Sequence, residues 1–155
     1  MSKLYSIDCE MVEDTRNNSM VARVSVVDSS LAVVYDKYVK PTQQIGDYRT
    51  SISGIRPGYE HTAQPFETVR QDLVRLFNGA RLVGHDIQKD LSVLGIQHRD
   101  VRDLATYDHF VRQYGHKPSL KNLAQNELNL RIQNGEHDSV EDAKAAMRVY
   151  LKYRF

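Results

Sequence analysis

Asp8 and Glu10 stand two residues apart in the run Tyr5-Ser6-Ile7-Asp8-Cys9-Glu10-Met11-Val12, where apolar and polar residues alternate. A period of two is that of a strand, so both carboxylates leave one face, roughly 7 Å apart at their Cα atoms. Tyr5, Ile7, Cys9 and Met11 take the other face, towards a core. Two acids on a surface strand need no explanation. On a central strand, two like charges require a cation. Asp86 and Asp90 lie four apart in Gly84-His85-Asp86-Ile87-Gln88-Lys89-Asp90, a spacing at which like charges disfavour a helix by a few tenths of a kcal/mol. Asp86 alone is accounted for as a carboxylate at a helix N-terminus, worth ~0.3–1 kcal/mol, and Asp90 alone by Lys89 and solvent. The run His137-Asp138-Ser139-Val140-Glu141-Asp142 opens the last helix. A capping box there uses Asp138 with Glu141, or Ser139 with Asp142, but not both Glu141 and Asp142.

Taken together the acids weigh more than they do singly. Asp8, Glu10, Asp90 and Asp142 come from a strand, a mid-chain helix and the last helix, and all can meet at one edge of the first strand. Four carboxylates are neutralised by two divalent cations, and oxygen-only ligation selects Mg²⁺ or Mn²⁺ over zinc. Such a pair, ~3.5–4 Å apart, stabilises the attacking and leaving oxygens of an in-line phosphoryl displacement. His137, titrating near neutrality, is the group to take a proton from water. The chemistry this set suits is hydrolysis of a phosphodiester.

The chain that must position these groups has 155 residues, the size of one domain over 1–155 with a core large enough to fold without disulfides or a structural metal. Its net charge of +1 excludes a protein that coats nucleic acid by charge alone. Cys9 is the only cysteine, which excludes an intramolecular disulfide and points to a reducing, intracellular home. No charge-free stretch exceeds eight residues (Leu91–His98), far below the ~20 that span a bilayer. The first residues lack the apolar core of a signal peptide, so a soluble protein is expected.

Three strands are predicted in the first forty residues, the last two, Met20–Asp28 and Leu31–Lys40, forming a hairpin through Asp28-Ser29-Ser30. Pro41 to Pro65 is irregular and too long for idle chain, so it reads as a working loop. A helix from Phe66, ended by Gly79, precedes a buried strand over Arg81–Gly84 and a helix over Asp86–Leu94. An edge strand near Arg99–Leu104 and helices over Ser119–Leu128 and Ser139–Arg154 follow, the last packing Val140, Ala143, Met147, Tyr150 and Leu151 on the sheet. The expected class is α/β, with a mixed five-stranded sheet and helices on both faces.

The runs Asp8-Cys9-Glu10-Met11-Val12, Gly84-His85-Asp86-Ile87-Gln88-Lys89-Asp90 and His137-x-x-x-x-Asp142 resemble those of the DEDDh 3′→5′ exonucleases. With "YDKYVKP", "DYRT-x-x-SGI" and "GHD", the likeness extends from Leu4 to Tyr150 and is to the RNA-exonuclease branch that includes the interferon-stimulated exonuclease and Rex-type enzymes. The resemblance implies a ribonuclease H-like fold, two metal ions, and release of nucleoside 5′-monophosphates from a free 3′ end. It makes Asp8, Glu10, Asp90 and Asp142 metal ligands and His137 the general base. It places Met11 at the terminal nucleotide, Asp86 at the ribose, where a 2′-OH distinguishes RNA from DNA, and Arg49 at a nucleotide. It implies single-stranded RNA as substrate, single-stranded DNA as a weaker one, and the nucleus or nucleolus as compartment, with the cytoplasm as alternative. Asp138 is an extra acid where a small polar residue is expected, and is predicted to raise the His137 pKa. Two other readings stand beside this one: a DNA-directed 3′→5′ exonuclease of repair or proofreading type, and an inactive module that grips RNA ends.

Overall fold

The structure, a computed structural model, describes residues 3–155. Its centre is β1, Lys3–Asp14, hydrogen-bonded on both sides. On one side β1 pairs antiparallel with β2, Ser19–Asp28, which pairs antiparallel with β3, Val33–Tyr38. On the other, the first residues of β1 pair in parallel with β5, Ala80–Gly84, and β5 with β6, Val101–Asp103. A sixth strand, β4 at Ile45–Asp47, pairs antiparallel with the far end of β1. Among the described residues the sheet is mixed, as expected, but has six strands rather than five. Three residues carry too little periodicity to show β4 in the sequence, and only the pairing reveals it.

The alternation along β1 sorts the two sides of the core. Ile7 and Cys9 face the helices α2 (Phe66–Phe77) and α3 (Ile87–Leu94), packing with Val69, Leu73, Phe77 and Leu91. Leu4, with Val27 and Val83, faces α4 (Asp108–Tyr114), α5 (Leu120–Leu128) and α6 (Ser139–Tyr153). Asp8 and Glu10 share the parity of Leu4 and therefore turn towards α6. The buried face of α6 is wider than the predicted stripe: Ser139, Asp142, Ala145, Ala146 and Val149 join Ala143, Met147 and Tyr150, while Val140 and Leu151 are only partly buried. The alanines bring this helix close to the sheet. The short helix α4, with Phe110 as its single buried residue, has too little apolar pattern to be predicted.

The stretch from Pro41 to Pro65 is ordered. It holds β4, the short helix α1 (Thr50–Ser53) and a 3₁₀ turn at Tyr59–His61. Its ends are closed by Lys40 N–H donating to the Gln64 carbonyl at 2.8 Å and Gln64 N–H donating to that of Tyr38 at 2.9 Å. Ile55, Tyr48 and Tyr59 pack beneath it against Val12, Met20 and Ala22. The loop is also pinned to the segment before α6, for His137 N–H donates to the Ile52 carbonyl at 2.7 Å and Arg56 pairs with Glu136.

Candidate active site

The carboxyl oxygens of Asp8, Glu10 and Asp142 lie within 4.8 Å of one another. Two come from the central strand and the third from the first turn of α6. At that separation each ionised pair repels by about 3–4 kcal/mol at an effective dielectric near 20, so the set does not hold three charges unaided. Its titration reflects this. Burial first, then the charges of Asp90, Asp142 and Glu10, push the Asp8 carboxyl well above its ordinary value. Burial and the Asp142 charge push Glu10 up to about 8, with Arg23 opposing. Asp142 is pushed up to about 7, chiefly by burial, while a hydrogen bond from Gln133 opposes the rise.

Asp90 is 5% exposed on α3, and its pKa rises through burial and then the charges of Glu10, Asp86 and Asp103. It stands apart from the three-acid cluster but within electrostatic reach of Asp8. One oxygen of Asp90 (Oδ2) and one of Asp142 (Oδ1) are buried with no hydrogen-bond partner among the described residues. Orphaned buried carboxylate oxygens carry a full desolvation penalty unless something neutralises them. A hard divalent cation fits this donor set, which is all oxygen and, with Asp90, four-fold anionic when ionised.

His137 lies at the mouth of the same cleft, its Nδ1 4.0 Å from Asp142 Oδ2. Burial, and secondarily the Lys121 charge, lowers its pKa. The prediction that Asp138 raises it is therefore overturned. Asp138 is turned to structural use instead: it caps α6, accepting from Val140 N–H at 2.9 Å, and meets Arg23 at 3.4 Å. Arg23 in turn holds Asp36 through two bonds of 3.0 Å, and Ser25 donates to Asp36 at 2.9 Å. This network anchors the start of α6, and with it His137 and Asp142, to β2.

Met11 and Arg49 both line the cleft, with Ile52, Ser53, His85, Leu120 and Gln133. Arg49 has φ +52°, a left-handed conformation costly for a long side chain, and its Nε lies 3.8 Å from Glu13. Asp86 is not among the residues that line the cleft. It is the N-cap of α3 at φ +59°, paired with Lys89 at 3.3 Å, and its N–H donates to Asp103 at 2.8 Å. Gly84 makes this turn possible, because a Cβ there would meet the Ile87 side chain at 3.0–3.1 Å. His85 braces the turn, its Nε2 2.7 Å from the Pro118 carbonyl. Outside the sequence motifs, the fold brings to the site Gln133, which lines the cleft, and Arg23, whose charge acts on Glu10; Ser53, of the SGI run, lines the cleft as well.

A mixed sheet whose central strand presents two acids to a third on the closing helix, with a histidine beside them, is an arrangement able to hold a divalent metal ion. Similar solved structures share this fold. The catalytic unit of Neurospora crassa Pan2, with protease and nuclease domains, aligns at a TM-score of 0.85 and 30% identity, over 98% of this chain and 27% of that one. The Saccharomyces cerevisiae Pan2 pseudoubiquitin hydrolase–RNA exonuclease module in complex with A7 RNA aligns at 0.86 and 29% identity, over 99% and 28%. The fold is ribonuclease H-like.

Residues 6–150 match the family model described as Exonuclease, and the chain belongs to that exonuclease family. Similar proteins include RNA exonuclease 4 of Neurospora crassa, 46% identical over 158 residues, covering 98% of this chain and 39% of that protein. RNA exonuclease 4 of Homo sapiens is 41% identical over 156 residues, covering 97% and 36%. The chain thus spans between 36% and 39% of the length of these two relatives.

Proposed function

We propose that residues 1–155 form one catalytic domain that removes nucleoside 5′-monophosphates from the 3′ end of single-stranded RNA, and acts more weakly on DNA. The observation that carries this reading is the cluster of Asp8, Glu10 and Asp142 within 4.8 Å, with the His137 ring 4.0 Å from Asp142. The relatives named RNA exonuclease 4 and the RNA-bound Pan2 module support it.

Asp8, Glu10, Asp142 and Asp90 would hold two divalent cations, Mg²⁺ or Mn²⁺. When bound, these supply positive charge at the phosphate and acidify water, the usual contribution of such ions to phosphoryl displacement. The protein's own groups do the rest. His137, with its pKa lowered, is neutral at pH 7 and ready to accept the proton of the attacking water. The backbone bond from its N–H to Ile52 and the capping of α6 hold the imidazole over the cleft. Met11 packs against the terminal nucleotide, and Arg49, beside it on the wall, meets the phosphate or ribose. Asp86, next in the chain to the cleft-lining His85, is assigned to the ribose 2′-OH and gives the preference for RNA.

The test is degradation of 5′-labelled single-stranded RNA with Mg²⁺ or Mn²⁺. A ladder shortening from the 3′ end is expected, slowed by a 3′-phosphate. Full activity of Asp8→Ala, or cutting of a circular RNA, would refute the assignment.

A further inference from the structure

A second cavity, of about 310 Å³, adjoins the catalytic cleft. It is lined by Lys121, Asn122, Gln125, Arg131 and Asn134: two cations, three carboxamides and no acid. The two linings meet along the chain. Leu120 and Gln133 line the cleft, while their chain neighbours Lys121 and Asn134 line the second cavity. Lys121 is close enough to His137 for its charge to act on the imidazole. Neither Lys121 nor Arg131 takes part in an ion pair among the described residues. Scattered surface cations are ordinary, but here two unpaired ones converge on a concavity whose remaining lining is made of amide donors and acceptors. An anion with hydrogen-bonding neighbours is the ligand such a lining suits.

The path of a bound strand indicates which anion. The cleft opens past Met11 into a groove along α3 lined by Ser19, Gln88, Lys89, Ser92 and Val93, which leaves room for the 3′-terminal nucleotide on that side. On the opposite side from that groove, Leu120 and Gln133 form part of the remaining cleft wall, and their chain neighbours line the second cavity. We propose that the Lys121–Arg131 cavity is a subsite for a backbone phosphate of the RNA strand upstream of the scissile bond. This rests on the reading of the cleft as the RNA 3′-end site. The carboxamides offer donors and acceptors to neighbouring ribose and base edges without demanding one base, so the subsite senses strand length rather than sequence.

The experiment compares a dinucleotide and a hexanucleotide RNA sharing the same 3′ end, with the wild-type chain, Lys121→Ala/Arg131→Ala, and Arg131→Lys. Turnover is measured with Mg²⁺. Binding is measured separately by fluorescence anisotropy in Ca²⁺, over a series of salt concentrations. The double variant should lose roughly tenfold of the hexanucleotide's advantage, mostly in KM, as expected for two charge-assisted contacts. Its salt slope for hexanucleotide binding should be shallower by about 0.7, the value for one phosphate neutralised on a single strand. Arg131→Lys should keep most of that slope. Length preference and salt slope both unchanged would overturn the subsite, as would an equal loss on the two lengths. If the wild-type chain binds the hexanucleotide with the stated contrast but shortens neither RNA, the hydrolytic reading fails and the subsite stands.

Discussion

The Ser25 and Ser139 hydroxyls, 114 positions apart, meet at 2.7 Å in a fully buried hydrogen bond. Ser25 lies on β2 and Ser139 is the first residue of α6, between His137 and Asp142. The bond ties the strand next to β1 to the helix that completes the acid cluster. Ser139→Ala leaves Ser25 its bond to Asp36, so the cost should be about 1 kcal/mol of stability. Urea unfolding checks this. A fall in kcat larger than that in the binding of RNA is expected if α6 must be held in register for its two functional residues to work.

Asp142→Asn removes one of three mutually repelling charges while keeping the shape. The metal-free protein should therefore become more stable, and activity should fall by at least roughly a hundredfold, since a buried, fixed charge is lost. Thermal unfolding with and without Mn²⁺ reads both effects. The metal-induced rise in Tm, large in the wild type, should shrink in the variant. A metal response equal to the wild type's would remove Asp142 from the site.

The raised carboxyl pKa values make the metal-free fold sensitive to alkali. Glu10, at about 8 folded against an ordinary value of 4.5, binds a proton more tightly in the folded chain. Asp142, at about 7 against 3.8, does the same. Groups raised on folding contribute stability that is complete below the unfolded pKa and lost as pH rises through the folded one. Metal-free Tm should therefore fall between pH 5 and about 8. Saturating Mg²⁺ or Mn²⁺ should flatten that decline and release protons on binding, which calorimetry in buffers of differing ionisation enthalpy would count.

His137→Ala should cost roughly 10²–10⁴ in kcat, the usual share of a positioned general base. Cation binding should survive, since the acid oxygens lie elsewhere. The acid limb of the wild-type rate profile should fall below the ordinary histidine value of 6.5, because burial and Lys121 lower the imidazole's pKa.

Asp138→Ala separates the cap from the chemistry. Losing the bond to Val140 N–H and the contact with Arg23 should destabilise the fold by about 1 kcal/mol. The acid limb of the pH profile should stay where it is. A shift downwards by most of a pH unit would restore Asp138 as the group that sets the histidine's proton affinity.

Much of this is legible in the sequence alone. The period of two from Tyr5 to Met11 determined which side of β1 is core and that Asp8 and Glu10 share the other side, because side chains on a strand alternate by geometry alone. The helical spacing after Phe66 and after Ser139 set α2 and α6 for the same kind of reason, and the motifs named the acids and the histidine. What the residues one by one could not state was their meeting. Asp8 and Asp142 are far apart in sequence, and their approach depends on α6 packing through alanines against a central β1. The roles of Arg23 and Gln133 were likewise decided by tertiary structure, since neither belongs to a local pattern: Gln133 lines the cleft, and the Arg23 charge acts on Glu10, only once β2 and the loop before α6 are folded together. Asp138 shows the difference most directly. Its neighbour in sequence is His137, but its partners in space are Val140 N–H and Arg23, and a carboxylate's electrostatic effect follows the partners it meets in space.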